Sequence, residues 1–195
     1  MKNYIIRILI IIAILVGTAI AMNWDYVVLR TQYAFKGEQN NEVPAQSAEQ
    51  LSEPNKLRIP SLSIEAPIRF VTEKNENAYQ EALAHGAVHF PDTALAGQPG
   101  NMYVFGHSSD LPWSKGEYKT VFALLPQIKI GAEIFVSDDK GKEYKYKALS
   151  TKVVVPTDLS VLDQQGNKRK LLSVQTSYPV GTALKRFVVI AELVE

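Results

Sequence analysis

The first 22 residues most constrain how this chain can fold. After a short basic start, residues 8–22 form an apolar run without a charged side chain. Counted from residue 4, the stretch is long enough to cross a bilayer as a helix if Arg7 extends its charge to the headgroups. We therefore predict a transmembrane anchor over residues 4–22, preceded by a cytoplasmic start at residues 1–3.

Two other interpretations of this segment stay open. Ala19-Ile20-Ala21 fits the small-residue pattern at which a signal peptide is cleaved, and an apolar run can also be a buried helix of a domain. Positive charge at the front of the run predicts a cytoplasmic N-terminus, with the rest of the chain outside. Both the anchor and the signal peptide lead to an extracytoplasmic domain attached to, or released from, the cell membrane.

Residues 23–56 are expected to be a juxtamembrane segment and a linker. The stretch from Trp24 to Phe35 has the pattern of a helix that leaves the membrane. The following KGEQNNEVPAQSAEQLSEPNK, residues 36–56, contains no aromatic residue and few large apolar ones, which is typical of a solvated linker. As a flexible coil it would span about 25 Å. That length is enough to hold a domain just off the membrane surface.

The composition narrows the function. A net charge of +1 and a hydrophobic content of 46% argue against a disordered chain and against a strongly basic nucleic-acid binder, so we expect no nucleic-acid partner. The absence of cysteine excludes disulfides, thiolate metal sites and a cysteine nucleophile. Three histidines are too few to predict a metal cluster, and we expect neither a metal nor a cofactor.

Residues 57–195 have mostly the pattern of β-strands. LRIPSLSIEAPIRFV alternates apolar and polar positions around two prolines, as strands near a sheet edge do. NAYQEALAHG is a candidate short helix, and two alternating runs around Asp139-Lys140-Gly141 predict a hairpin. NMYVFG, KRKLLSVQTS and KRFVVIAELVE supply further strands. Seven or eight strands with short helices predict a mainly β domain, a closed or nearly closed barrel.

Three side chains with catalytic potential fall at predicted strand ends. His107 follows NMYVFG, Ser177 follows LLSVQT, and Arg186 opens the last strand. Binding sites are often built where strand ends converge on the mouth of a barrel, so we expect the three to line one groove at one end. Each also has a structural alternative, as a loop histidine, a turn serine before Tyr-Pro and a solvated arginine. Spacing alone leaves both readings open.

These segments resemble sortases, which are membrane-anchored cysteine transpeptidases. SVQTS at residues 173–177 is similar to their Thr-Leu-x-Thr-Cys motif, and Arg186 falls at the position of the family's arginine. NMYVFGHSS resembles the strand and loop that present the sortase histidine, which places it at His107. IPSLSIEAPI and HGAVHFPDTALAGQPGN are also family-like, and the pieces occur in the family's order. The resemblance covers nearly all of residues 57–195 and implies a sortase-like catalytic barrel there.

The resemblance also implies a reaction. In sortases a thiolate attacks the Thr–Gly carbonyl of a Leu-Pro-x-Thr-Gly-type sorting motif of secreted surface proteins. The histidine protonates the leaving amine, the arginine stabilises the oxyanion or positions the substrate, and an amine acceptor resolves the acyl-enzyme. The expected catalytic residues are His107, Ser177 and Arg186, and the expected substrate-binding residues are Val174, Thr176 and His89.

One departure from the motif bears on activity. Ser173 in place of threonine is mild, but Ser177 stands where sortases carry the nucleophilic cysteine. A thiol with a pKa of about 8.5 can be ionised by cationic neighbours, whereas a serine hydroxyl needs a general base within hydrogen-bond reach. We therefore expect peptide binding with very slow turnover. The alternatives are an inactive peptide-binding module, a serine-dependent peptidase with His107 as base, and a serine introduced in place of a parent chain's cysteine.

The acidic residues carry smaller expectations. Asp110 follows His107 by three positions, where it can orient the imidazole as the third member of a triad or serve as a solvated turn residue. Asp138 and Asp139 are predicted to form the tip of a hairpin. No dense acidic cluster in the sequence predicts a calcium site.

Overall fold

The structure is a computed structural model that describes residues 2–36, 52–110, 114, 116–164, 166 and 168–194. Two helices come first, α1 (Lys2–Met22) and α2 (Trp24–Lys36), and only Asn23 separates them. The helix expected after the apolar run is confirmed. Most of the predicted linker, residues 37–51, lies outside the described residues.

Helix α1 contains the candidate membrane span. Within the described part of the chain, its stretch Tyr4–Met22 is the one helix long and apolar enough to cross a bilayer, with a mean hydropathy of 2.8. None of this stretch is buried against the rest of the chain, so the alternative of a buried domain helix is wrong. A helix that is apolar all round and unburied fits a membrane segment.

Eight strands form a closed barrel with the order β1-β2-β3-β4-β7-β8-β6-β5. The strands are β1 (Lys56–Ile59), β2 (Ile64–Phe70), β3 (Ala87–His89), β4 (Gly100–Gly106), β5 (Glu133–Ser137), β6 (Glu143–Val154), β7 (Lys170–Tyr178) and β8 (Lys185–Leu193). Most neighbouring strands are antiparallel, but β2 pairs with β3 and β4 pairs with β7 in parallel. The prediction of a closed barrel of seven or eight strands is confirmed.

Local chemistry accounts for the short helix and the hairpin. Helix α3 (Glu76–Leu83) begins where the side chain of Asn75 accepts a hydrogen bond from the backbone N–H of Ala78, which satisfies one of the unpaired donors of the first turn. In the hairpin between β5 and β6, the carboxylate of Asp138 accepts from the backbone N–H groups of Lys140 and Lys142, both at 2.9 Å. Carboxylate capping of this kind favours a tight turn. The predicted hairpin is confirmed.

The C-terminal end of the predicted linker belongs to the barrel instead. Strand β1 begins at Lys56, and the backbone N–H groups of Ser52 and Asn55 donate to carbonyls of the β5–β6 turn, each at 2.9 Å. Polar composition suggested solvated coil for this stretch. Backbone hydrogen bonds do not depend on apolar side chains, which is why the composition missed them.

Alternation along the strands separates the barrel interior from the surface that carries the site. The interior is filled by aliphatic and aromatic side chains from all sides of the barrel, among them Leu57, Ile59, Met102, Val104, Leu172, Val174, Phe187 and Val189. Successive side chains of a strand point to opposite faces. The intervening residues of β4, β7 and β8 therefore face outward, and the site is built from them.

Candidate active site

The register of β7 with its two neighbours brings the three expected residues together. Ser177 on β7 lies directly opposite Arg186 on β8 in the antiparallel pair. On the other side, Thr176 is level with Gly106 in the parallel β4–β7 pair, so His107, the next residue of the chain, emerges beside Ser177. Paired strands are about 4.8 Å apart. Backbone pairing alone therefore holds the three residues side by side.

His107, Ser177 and Arg186 line one groove with a volume of about 600 Å³. This volume lies within the range of small-ligand and peptide pockets, roughly 300–1,000 Å³. The groove runs along the outer face of the barrel at the carboxyl ends of β4 and β7. The sequence predicted a site at the mouth of the barrel. The groove lies on the outer face instead, because core side chains fill the barrel interior.

His107 is largely withdrawn from solvent, with 18% of its side chain exposed. Its Nε2 lies 3.9 Å from Oδ2 of Asp110, so the structure brings this carboxylate to the imidazole. Burial lowers the pKa of His107 below 6.5, because it disfavours the charged ring, and the Asp110 carboxylate opposes this by raising the pKa. The imidazole is therefore mainly neutral at pH 7, the form that accepts a proton.

Ser177 and His107 share the groove without a hydrogen bond to each other among the residues that the structure describes. A general base must reach the proton that it abstracts, directly or through one water. Catalytic contacts in a free enzyme often tighten only when substrate binds. The free protein thus holds a mainly neutral imidazole in the groove, and this imidazole is not hydrogen-bonded to the hydroxyl of Ser177.

Arg186 is held in place by the loop that connects β7 to β8. Its Nη1 donates to the carbonyl oxygens of Ala183 and Lys185, both at 3.1 Å. Within the described residues these are the hydrogen bonds of the guanidinium, which leaves Nε and Nη2 for another acceptor. A fixed cation opposite Ser177 suits a carbonyl oxygen that gains negative charge during acyl transfer.

The three residues expected to bind substrate lie elsewhere. Val174 and Thr176 are fully buried, and the hydroxyl of Thr176 donates to the carbonyl of Gly106 at 3.0 Å. His89 is also buried, and its ring nitrogen Nε2 is hydrogen-bonded in the loop after β3. None of the three lines the groove. Pleat alternation turns Val174 and Thr176 inward, so their side chains pack in the barrel interior and stay outside the groove.

An aromatic floor in the groove escaped the sequence reasoning. Tyr79 of α3 meets Phe105 edge-on with ring centroids 5.4 Å apart, and Phe90 packs against both Tyr103 and Phe105. The hydroxyl of Tyr103 donates to Oε1 of Gln175 at 2.6 Å. The signal for Tyr103 and Phe105 was available, because both share the outward alternation of His107. Nothing local to the sequence indicated that α3 would cover them.

The acidic side chains do not assemble a metal site. In the part of the chain that the structure describes, no group of three or more His, Cys, Asp or Glu side chains is arranged to hold a metal ion. Asp138 forms the predicted hairpin turn through its backbone contacts, while Asp110 faces His107. The groove therefore offers acid–base and hydrogen-bonding chemistry from its own side chains.

Comparison with known proteins shows the family to which the chain belongs. The family model described as Sortase domain matches residues 57–194. This chain belongs to the sortase family. Sortase D of Bacillus subtilis (strain 168) is 27% identical over 136 residues, which cover 68% of this chain and 60% of that protein. The match thus spans less than two thirds of this curated relative.

Solved sortases share the barrel. Sortase C2 of Group B Streptococcus Pilus Island 1 has a TM-score of 0.60 at 25% identity, covering 76% of this chain and 77% of that one. The Clostridium perfringens Sortase D5 transpeptidase has a TM-score of 0.58 at 22% identity, covering 72% and 78%. The closed mixed barrel is therefore the sortase fold.

Proposed function

We propose that this protein is a membrane-tethered, extracytoplasmic sortase-type transpeptidase. It recognises a C-terminal sorting motif of secreted surface proteins, cleaves it through an acyl-enzyme, and transfers it to an amine acceptor. Residues 4–22 anchor it in the cell membrane in a single pass with the N-terminus inside. Residues 57–195 are the catalytic domain. His107, Ser177 and Arg186 are the catalytic residues.

One observation carries the proposal. The pairing of Ser177 with Arg186 across β7 and β8, together with the parallel β4–β7 register that ends at His107, unites three chemically distinct groups in one groove. A nucleophile, a proton carrier and a fixed cation are the parts that acyl transfer needs. The membership of the family supports the reaction class.

The proposed reaction proceeds in two steps. The hydroxyl of Ser177, or the thiol of a cysteine at this position, gives its proton to neutral His107 and attacks the carbonyl carbon of the scissile peptide bond, while the carbonyl oxygen takes up negative charge beside the Arg186 guanidinium. The C–N bond then breaks, His107 delivers a proton to the leaving amine, and an acyl ester forms on Ser177, or a thioester on cysteine. In the second step an amine acceptor attacks the acyl carbon and passes a proton to His107. The C–O or C–S bond then breaks, and His107 returns this proton to the released nucleophile.

Ser177 sets the rate of the chain as it stands. The hydroxyl has no resident hydrogen bond to His107, so its activation depends on rearrangement when the peptide binds. We expect Ser177→Cys to raise acyl transfer by at least about a hundredfold, equivalent to a barrier change of about 2.7 kcal/mol. Cleavage of a fluorogenic peptide of the Leu-Pro-x-Thr-Gly type, with an amine acceptor present, measures the change.

A matched control separates the position of the thiol from its mere presence. Ser109 lines the same groove and its Oγ accepts from the backbone N–H of Gly181 at 3.0 Å, but it does not face Arg186 across a strand pair. Ser109→Cys should bring no gain in cleavage. A serine form that already cleaves at a rate comparable to Ser177→Cys would contradict the proposal and make the protein a serine-dependent peptidase.

The second candidate function is peptide binding without turnover. The observation that favours it is that, among the described residues, Ser177 and His107 share the groove without a hydrogen bond to each other. In that case both the serine and the cysteine forms bind the labelled sorting peptide, as fluorescence anisotropy would detect, and neither releases product. If Ser177→Cys gains cleavage, the groove is able to support turnover, and this candidate is excluded.

A further inference from the structure

One side of the groove, called the wall below, is formed by residues outside the family's domain. The wall consists of Met22, the last residue of α1, and Asn23, which forms the junction between α1 and α2. Both line the same groove as His107, Ser177 and Arg186. Both precede residue 57, where the match to the family begins. The candidate membrane span also ends at Met22. The end of the span and the catalytic residues therefore border one space.

The contact that brings Asn23 there is close and specific. A Cβ atom placed on Gly181 would lie 2.6 Å from Oδ1 of Asn23, so the carboxamide lies directly against the backbone of the β7–β8 loop. Gly181 has φ of +84°, a conformation that glycine adopts without strain. Its N–H donates to Ser109, two residues after His107. Asn23 thus contacts the β7–β8 loop, which is itself hydrogen-bonded to the loop that follows His107.

Helix α2 fastens this junction to the barrel. Leu29 and Tyr33 are four residues apart, on one face of α2, and both pack against the hydrophobic core cluster of the barrel. Helix α1, in contrast, has no buried residue in its span. The junction is therefore held by the domain and not by the bilayer segment.

The carboxamide of Asn23 is held in a fixed orientation. Its Nδ2 donates to the carbonyl oxygen of Ala19 at 3.0 Å, which fixes the plane of the amide. Among the described residues, Oδ1 accepts no hydrogen bond. An oriented carbonyl oxygen at the rim of a groove can accept from a backbone N–H of an extended peptide. The groove keeps about 600 Å³ with the junction in place, so the junction borders the space without filling it.

We propose that Asn23 is a substrate-binding residue, and that the helix junction completes the peptide groove by accepting a backbone hydrogen bond from the bound peptide. The inference rests on the proposed function for the identity of the ligand, but not for the position of the wall. A chain without α1 and α2 would lack the side of the groove that the junction forms.

Peptide affinity gives the first test. The full chain, with Ser177 unchanged, is placed in lipid nanodiscs and titrated with a fluorescein-labelled peptide carrying Leu-Pro-Glu-Thr-Gly. Asn23→Ala should weaken binding about 2- to 12-fold, which corresponds to one hydrogen bond of about 0.5–1.5 kcal/mol. Gln32→Ala, an equivalent truncation at an exposed position of α2 away from the groove, should leave the affinity unchanged. In the Ser177→Cys background, Asn23→Ala should raise KM and leave kcat unchanged.

A second measurement tests the wall without any peptide. The chain has no cysteine, so paired substitutions can be cross-linked without interference. Asn23→Cys with Ser109→Cys should be joined by a short bis-maleimide, detected by mass spectrometry as one bridged reagent. Gln32→Cys with Ser109→Cys should take up two separate reagent molecules instead.

The outcomes are distinguishable. A cross-link without peptide binding would uphold the wall and overturn the proposed substrate. Peptide binding that Asn23→Ala leaves unchanged or strengthens would overturn the role of Asn23, and strengthening would identify the junction as an inhibitory plug. Failure of the Asn23 pair to cross-link would overturn the wall itself.

Discussion

Two histidines near the ends of neighbouring strands have different surroundings in this protein, because one is buried and the other lines the groove. His89 closes β3 and is buried, and its ring stacks near Phe70 with centroids 5.0 Å apart. His107 follows β4 and lines the groove that also contains Ser177, close to Asp110. Both are apolar-strand histidines followed by a loop with an aspartate three residues on. Their local sequences do not explain the difference.

Strand pairing and side-chain face explain it. Strands β3 and β4 are antiparallel, and His89 lies directly opposite Val104, so its side chain is on the same face of the sheet as Val104, which belongs to the core. Strands β4 and β7 are parallel and end together. A residue after β4 therefore meets a residue at the end of β7, whereas β3 lies on the other side of β4 from β7. Strand order and pairing decide which strand-end residues become neighbours.

The hydrogen bonds of His89 reinforce its structural role. The hydroxyl of Thr93 donates to the carbonyl of Phe90 at 2.7 Å, so its oxygen remains to accept. The Nε2–H of His89 is placed to donate to that oxygen and to the carbonyl of Ala94, both at 3.0 Å. The ring thus ties the loop 89–94 to β3. Burial lowers the pKa of His89 as well, so a lowered pKa alone does not distinguish a catalytic histidine from a structural one.

The largest expected effect separates the two histidines by catalysis. In the Ser177→Cys background, His107→Ala should lower kcat/KM for the sorting peptide at least about a hundredfold, because general acid–base groups contribute about 10²–10⁴. Arg186→Ala should abolish the gain in the same way. His89→Ala, the matched substitution, should keep kcat/KM of the folded protein within about threefold. A comparable loss in both histidine variants would break the comparison.

The second prediction concerns stability, for which the substitution of His89 should have a larger effect than the substitution of His107. His89→Ala removes buried hydrogen bonds and should lower the free energy of unfolding by about 1–3 kcal/mol. His107→Ala should cost less, since its ring borders a groove and holds no such loop. Urea denaturation of both variants in the same detergent gives the comparison. Equal losses would assign a structural role to His107.

Both histidines should make the fold sensitive to acid. Their folded pKa values lie below the ordinary value of 6.5, so between those values and 6.5 the unfolded chain binds more protons than the folded chain. The free energy of unfolding should therefore fall as the pH decreases below about 6.5, and these two groups should have no effect above it. Denaturation from pH 7.5 to 5 measures the slope. His89→Gln should flatten it, and an unchanged slope would contradict the assignment.

The smallest effect concerns Asp110. Its carboxylate raises the pKa of His107 against the effect of burial, so Asp110→Asn should lower that pKa further. The acid limb of the pH–rate profile should move to lower pH, with a change in rate at pH 7 of at most about fivefold, as for a partly exposed charge pair of about 0.2–1 kcal/mol. An unchanged profile would show that the carboxylate stabilises only its loop and does not act on the pKa of His107.

The sequence by itself determined the elements of this protein and the chemistry they carry. The apolar run, the alternating strands and the turn of the β5–β6 hairpin follow from periodicity and turn residues, which act over a few positions. The motif around Ser177 and the histidine strand pointed to His107 and Arg186 through resemblance. Those inferences depend only on neighbouring residues, and the barrel and the family they implied are both found.

The tertiary structure alone decided which of these residues meet. The parallel β4–β7 pair brings His107 to Ser177, the closure of the barrel makes the face of Val174 and Thr176 its interior, and the docking of α2 brings Asn23 to the groove. Each depends on contacts between segments tens of residues apart. No local pattern encodes them, because burial and neighbours are set by how the closed barrel places every strand at once.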